Sequence, residues 1–207
     1  MIRPPCWDGA AFTEGADGDI RNDPGARDTL ASRLGVSRDW AQVRQVHGAE
    51  VERVEAPGDA GEADALWTTR RRLPLAIFTA DCFGLVLGAH GAVGVAHAGW
   101  RGAAGGVVAR LRAAMSSSGH PPARAAIGPG IGPCCFEVGP DVAGEFPGHV
   151  TGTSWGTTSV DLPSVLKGQL DGLQVWASGG CTMHEDGWFS HRANGTPSRL
   201  ATIGWLP

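Results

Sequence analysis

Apolar and polar positions divide the chain into many short strands and a few helices. The sharpest case lies between residues 85 and 96, where two apolar runs, 85–89 and 92–96, flank His90-Gly91. Gly91 readily takes a positive φ, and histidine tolerates that region better than most residues. The pair therefore predicts a two-residue hairpin turn. Further strand-like runs cover residues 41–46, 51–54, 75–79, 125–127, 158–162, 175–177 and 200–206. Asp23-Pro24 opens a helix that runs through Leu30 and Leu34 to Gly35. Asp23 is its N-cap, Pro24 its first helical residue and Gly35 its stop. The spacing of Val107, Val108, Leu111 and Ala114 predicts a second helix over 103–115, and residues 163–170 predict a third, stopped near Gly172. This irregular alternation predicts an α/β (mixed α+β) sandwich, with residues 1–207 forming a single domain.

Composition narrows the function classes. A length of 207 residues with 42% hydrophobic positions suffices for a sizeable core, while Gly 32 and Pro 14 mark a chain of tight turns. No apolar run approaches the ~18–20 residues that span a bilayer. The opening Met1-Ile2-Arg3-Pro4-Pro5-Cys6-Trp7-Asp8 lacks the apolar core of a signal peptide, so a cytoplasmic location is expected. A net charge of -4 leaves no broad basic surface for a nucleic-acid backbone, and Arg70-Arg71-Arg72 is the one basic run. Lys167 is the sole lysine, which removes most lysine-centred chemistry. The five cysteines, at 6, 82, 134, 135 and 181, are odd in number and follow no export signal. They point to reduced thiols or a metal, not to a disulfide framework.

The hairpin places chemistry at one end. A turn at His90-Gly91 pairs Ala89 with Ala92, Leu87 with Gly94, Leu85 with Ala96 and Gly84 with His97. Cys82, two residues beyond Gly84, then shares a face with His97 and lies diagonal to it, about 7–8 Å away between backbones. A thiolate and an imidazole converging there can hold Zn²⁺, with His47 of Gln45-Val46-His47-Gly48 as the third ligand. Cys plus two His with a vacant position is a catalytic zinc arrangement. Two other readings stay open: Cys82 as a buried small hydrophobe beside a core histidine, and Cys82 as a nucleophile with His97 as base.

Several motifs recur in an order that identifies a family. They are Gln45-Val46-His47-Gly48, Ala63-Asp64-Ala65, Thr79-Ala80-Asp81-Cys82 and His97-Ala98-Gly99-Trp100-Arg101-Gly102, then the run from Ile127 to Gly139, which contains Cys134-Cys135-Phe136-Glu137. Together with Cys181-Thr182 and Phe189-Ser190-His191-Arg192, they resemble the YfiH-like, laccase-domain-containing family, often labelled polyphenol oxidase or multicopper oxidase. The resemblance covers about residues 40–206. It implies an α/β sandwich related to cysteine hydrolases of the deamidating-toxin type, and a zinc site of His47, Cys82 and His97. It also implies phosphorolysis of adenosine, inosine, guanosine and methylthioadenosine, with deamination of adenosine as a further activity. The oxidase label fits poorly: the seven histidines contain no His-x-His pair of the kind a multicopper cluster needs, although one copper suits the same Cys/His/His set.

Under phosphorolysis, Arg101, Arg192, Ser190 and, in place of an N-terminal arginine that the family carries, Arg21 are the phosphate candidates. Asp81 is expected to act as a general acid or base, or to hold a ligand histidine in its tautomer. Phe136, with Phe83, Trp100 and Phe189, is a candidate for stacking on the base. Cys134 and Cys135 are expected as free thiols on the site wall, while Gly84 and Phe136 replace the proline and tyrosine usual in the family. The leading reading is a zinc-dependent purine nucleoside phosphorylase taking a small nucleoside and phosphate, with no nucleic-acid, membrane or protein partner. The alternatives are a Cys-His hydrolase of an amide, such as one editing a peptidoglycan precursor, and a non-catalytic metal-binding protein.

Overall fold

The computed structural model describes residues 1–207. In chain order, the first half carries β1 (Ala10–Phe12), α1 (Pro24–Leu34), β2 (Ala41–Arg44), β3 (Val51–Arg53), β4 (Gly58–Glu62), β5 (Ala65–Thr68), β6 (Leu75–Thr79), β7 (Phe83–Ala89) and β8 (Ala92–Ala98). The second half adds α2 (Trp100–Ala104), α3 (Val107–Ser117), β9 (Pro122–Ile127), α4 (Pro140–Glu145), β10 (Val150–Gly152), β11 (Thr158–Val160), α5 (Leu162–Gln169), β12 (Gln174–Ala177), α6 (His191–Asn194) and β13 (Leu200–Gly204). Two mixed sheets result, one in the order β1-β13-β6-β2-β4 and the other β12-β9-β7-β8-β5-β3, with β10 and β11 as a separate pair.

The sheets stack on each other and each carries helices on its outer face. Phe12, Leu75 and Ile77 of the first sheet meet Val86, Val93 and Val95 of the second in the middle layer. On the far side of the first sheet, Leu30, Ala31 and Leu34 of α1 cover Phe78 and Ile203. On the far side of the second, Leu111 and Met115 of α3 and Leu166 of α5 cover Leu85, Leu87 and Ile127. Successive residues of a strand face opposite ways, so a strand buried on both faces reads as an unbroken apolar run. Residues 85–89 and 92–96 read that way for this reason. No helix is long and apolar enough to cross a membrane.

The hairpin register agrees with the sequence expectation, from Ala89↔Ala92 to Gly84↔His97, and Gly91 turns with a φ of 72°. So does α1, where the Asp23 side chain accepts from the Gly25 and Ala26 N–H groups and Gly35 closes the helix in the left-handed region. Other boundaries differ. The helix expected over 103–115 is two helices, α2 and α3, broken where Gly106 adopts a φ of 74°. The strand expected over 158–162 stops at Val160, because Asp161 turns to cap α5 by accepting from the Ser164 N–H. β1, β4, β5, β10, α4 and α6 carry no periodic signal of their own. β4, Gly-Asp-Ala-Gly-Glu, has no apolar alternation because it is an exposed edge held to β2 by backbone pairing.

Candidate metal and anion site

The site forms where the chain passes from one sheet to the other. β6 ends at Thr79, Ala80 to Cys82 make a sharp crossing, and β7 begins the second sheet at Phe83. The crossing bends through Asp81, whose φ of 86° is unusual for a residue other than glycine. Asp81 holds that shape with every acceptor it has. Its carboxylate accepts from the Thr182 hydroxyl at 2.8 Å and the Arg192 N–H at 2.7 Å, and its carbonyl accepts from the Ile131 N–H at 2.8 Å. The carboxylate is thus committed to shaping the turn that presents Cys82.

The carboxylate that serves a site histidine is Asp64. It is fully buried, and its Oδ1 lies 2.7 Å from Nδ1 of His97, itself 2% exposed. The same carboxylate accepts three successive backbone N–H groups, from Val46, His47 and Gly48, at 3.2, 3.0 and 2.6 Å. That gathering ends β2 at Arg44 and not at 46, and holds His47 at a φ of 61°. Gln45 fixes the same turn from the other side, bonding Phe78 N–H and C=O through its amide, each at 2.8 Å. One buried acid therefore sets the positions of both histidines. It also fixes the tautomer: with the Nδ1 proton of His97 given to Asp64, Nε2 is free to face the site.

His47, Cys82 and His97 converge, each offering a ligand atom within 4.8 Å of the others. The two imidazoles meet edge to face with ring centres 4.7 Å apart. Burial alone pushes the Cys82 thiol up, but hydrogen bonds and charge from His47 and His97 outweigh it and bring it down to about 6. Burial likewise opposes charge on His97, yet Asp64 and Cys82 raise it to about 9. Gly99 completes the cradle: a Cβ there would stand 2.9 Å from Cys82 Sγ and 3.3 Å from His47 Cδ2. A polarised thiol, two imidazoles and space kept free by a glycine fit a borderline-soft ion, zinc or copper, with a coordination position left open.

A cavity of about 460 Å³ opens over this set. Arg21, Arg101, Arg192 and Arg199 line it, and the only carboxylate among its lining residues is Asp81, each of whose oxygens already accepts a hydrogen bond. The balance favours an anion. Arg101, in the first turn of α2, stacks on Trp100, its guanidinium 4.4 Å from the ring centre. Arg192 lies over Phe136 at 5.7 Å and donates to the Glu137 carbonyl at 3.0 Å, and so is partly engaged. Phe136 is buried in the cavity wall.

Two expectations need correction here and a third needs refining. Ser190 does not reach the cavity; it is 3% exposed and its hydroxyl caps α6 by accepting from the Ala193 N–H. Cys134 and Cys135 do not line the cavity either and lie behind it, with Cys181 and His184. The carboxylate holding a site histidine is Asp64 in place of Asp81, because Asp81 is spent on Thr182 and Arg192. Asp64 was visible in sequence only as a lone acid between two alanines, Ala63-Asp64-Ala65. Arg199 carried no signal at all.

Residues 18–207 match the family model described as multi-copper polyphenol oxidoreductase laccase. Among curated relatives, a Streptomyces griseus protein named purine nucleoside phosphorylase ORF3 is 39% identical over 211 residues, covering 91% of this chain and 85% of that protein. A Deinococcus radiodurans purine nucleoside phosphorylase is 39% identical over 194 residues, covering 87% of this chain and 76% of that protein. Two crystal structures share the fold. YfiH of Bacillus licheniformis superposes with a TM-score of 0.86 at 26% identity, covering 96% of this chain and 92% of that one. YlmD of Geobacillus stearothermophilus does so with a TM-score of 0.80 at 29% identity, covering 91% and 83%.

Proposed function

The chain belongs to the multi-copper polyphenol oxidoreductase laccase family, and we propose that within it this protein is a zinc-dependent purine nucleoside phosphorylase. One observation carries the reading: an anion-favouring arginine set and a Cys/His/His set oriented by a buried acid open into one cavity of about 460 Å³. A volume of that size lies in the range of small-ligand sites. The names borne by relatives 39% identical point to the same chemistry. The oxidase name finds less support, since only His47 and His97 join Cys82 and no His-x-His pair exists to build a copper cluster.

His47, Cys82 and His97 would hold the zinc, which supplies a Lewis acid at the cavity floor. The chain's own residues do the rest. Arg101 and Arg21 receive phosphate and offset its charge, with Arg192 oriented by the Glu137 carbonyl as a third donor. Phe136 and Trp100 offer apolar faces for the purine. Phosphate oxygen then bonds to the ribose C1′ as the bond from C1′ to the purine nitrogen breaks, and the proton of hydrogen phosphate passes to that nitrogen, giving neutral free base and ribose 1-phosphate. Asp64 keeps the His97 proton on Nδ1 throughout, and Asp81 keeps the crossing bent so that Cys82 faces inward.

Incubation of the zinc-loaded protein with adenosine and phosphate tests the reading. Adenine with ribose 1-phosphate is the expected product, and phosphate omission should stop its formation. Inosine formed without phosphate would replace the reading by deamination. No turnover of any nucleoside by protein with one zinc at this site would overturn it. A second reading, hydrolysis of an amide by Cys82, is favoured by the depressed thiol beside His97 and Asp64. It requires stoichiometric alkylation of Cys82 to abolish an amidase activity that persists after chelation of zinc.

A further inference from the structure

Behind the Phe136 wall, two loops bring three cysteines and a histidine together. The first turns at Gly132, whose carbonyl accepts from both the Cys135 and Phe136 N–H groups at 3.0 Å. The second makes a single helical turn from Cys181 to Glu185 and is tied to the first where the Thr182 N–H meets the Gly130 carbonyl at 3.0 Å. The sulfurs of Cys134, Cys135 and Cys181 and a ring nitrogen of His184 all lie within 4.8 Å of one another. Nδ1 of His184 is 3.5 Å from Cys134 Sγ and 3.3 Å from Cys135 Sγ.

The two S···N separations are close to an edge of a metal-centred tetrahedron, and the remaining ligand atoms lie within 4.8 Å. With Zn–S about 2.3 Å and Zn–N about 2.0–2.1 Å at tetrahedral angles, the S···N edge is about 3.6 Å and the S···S edge about 3.8 Å. The surroundings favour a thiolate at Cys181 in particular. The Gly132 N–H donates to Cys181 Sγ at 3.1 Å, and a Cβ on Gly132 would crowd Cys134 Sγ to 3.2 Å. The other ring nitrogen of His184 faces the Glu185 carboxylate at 3.9 Å, on the side where an acceptor orients a ligating imidazole. Cys135 and Cys181 are buried, so a pair of thiols would be an ordinary finding; three thiols converging on one imidazole are not.

We propose that Cys134, Cys135, Cys181 and His184 form a second, closed metal site that takes a structural zinc ion. Four protein ligands fill a tetrahedron and leave no position for substrate, which separates this site from the open set of His47, Cys82 and His97. Binding releases the three thiol protons to solvent and leaves a neutral imidazole as the fourth ligand. The ion joins the loop that carries Phe136 to the loop that carries Thr182, the residue bonded to Asp81. The site does not depend on the phosphorylase reading, because it concerns loop anchoring and not the reaction.

Zinc counted per chain in the full-length protein, purified under reducing conditions, tests it. Two ions are expected in the wild type, and one each in Cys181→Ser and His97→Ala. His184 has a half-exposed ring, so His184→Ala keeps the fold and should lose zinc affinity by roughly tenfold or more in competition with a chelator. Cobalt added to the zinc-free His97→Ala protein should give intense thiolate-to-metal absorption and the visible bands of a tetrahedral ion, absent when Cys181→Ser is added. A wild type with one zinc that His97→Ala removes entirely would overturn the proposal. So would two zincs unaffected by Cys181→Ser and His184→Ala. A disulfide joining Cys181 to Cys134 or Cys135 in the reduced preparation, mapped by alkylation and mass measurement, would overturn it as well.

Discussion

At the residue scale, Asp64 does the most with the least exposure. It joins His97 to the turn of His47, so Asp64→Asn should weaken the Cys/His/His metal by about 10–100-fold, read by chelator competition. The same change removes a charged acceptor from three N–H groups and should cost about 2–3 kcal/mol by denaturant unfolding. Burial pushes the Asp64 carboxyl up, but hydrogen bonds from His97 and the Gly48 N–H more than offset this and hold it below its ordinary value. A depressed acid lends stability above its unfolded pKa and loses it as pH falls through the folded one. In metal-free protein, stability should therefore drop below about pH 4, and Asp64→Asn should flatten that drop. Gly99→Ala makes a narrower test: its Cβ would press Cys82, so metal affinity should fall while the melting temperature changes little. His47, Cys82 and His97 were legible as a ligand set, whereas the role of Asp64 was not, because its partner His97 stands 33 positions along the chain.

At the element scale, the hairpin of β7 and β8 is the frame on which the site is hung. Its register followed from one turn dipeptide and two apolar runs, since a one-residue slip would turn every side chain to the opposite face. Gly84 shows how tightly that frame meets the other sheet: a Cβ there would stand 2.0 Å from the Thr202 Oγ1 of β13. Gly84→Ala should destabilise the fold by about 1–3 kcal/mol or more, measured by thermal or denaturant unfolding, and lower the occupancy of the neighbouring metal site. α1 was legible because its start and stop are local, Asp23-Pro24 and Gly35. The break between α2 and α3 was not, although Gly105 and Gly106 marked it. Apolar spacing does not report backbone dihedrals, and the break is made by Gly106 in the left-handed region between α2 and α3.

At the scale of the whole molecule, a net charge of -4 coexists with a cavity lined by four arginines. Local field, not overall charge, governs anion capture there. Under the proposed phosphorolysis, Arg101→Ala should raise the phosphate KM by about 10–100-fold, the loss of about 1.5–3 kcal/mol expected for a charge-assisted hydrogen bond, while nucleoside KM moves less. Because the cavity is open to solvent, added salt should raise the phosphate KM of the wild type, checked by steady-state rates at several ionic strengths. Signals carried by neighbouring residues specified the hairpin with its register, the caps of α1, the alternation that makes a sandwich, and the cysteine and histidine facing one strand end. Packing between distant segments set which acid holds His97, bound Asp81 to the Thr182 hydroxyl and the Arg192 N–H and Ser190 to the Ala193 N–H, and gathered three cysteines behind the wall. Those choices rest on contacts between segments as far apart as Asp81 and Arg192, 111 positions along the chain. Periodicity reports which way a side chain faces; which distant partner waits on that face is set by how the two sheets stack.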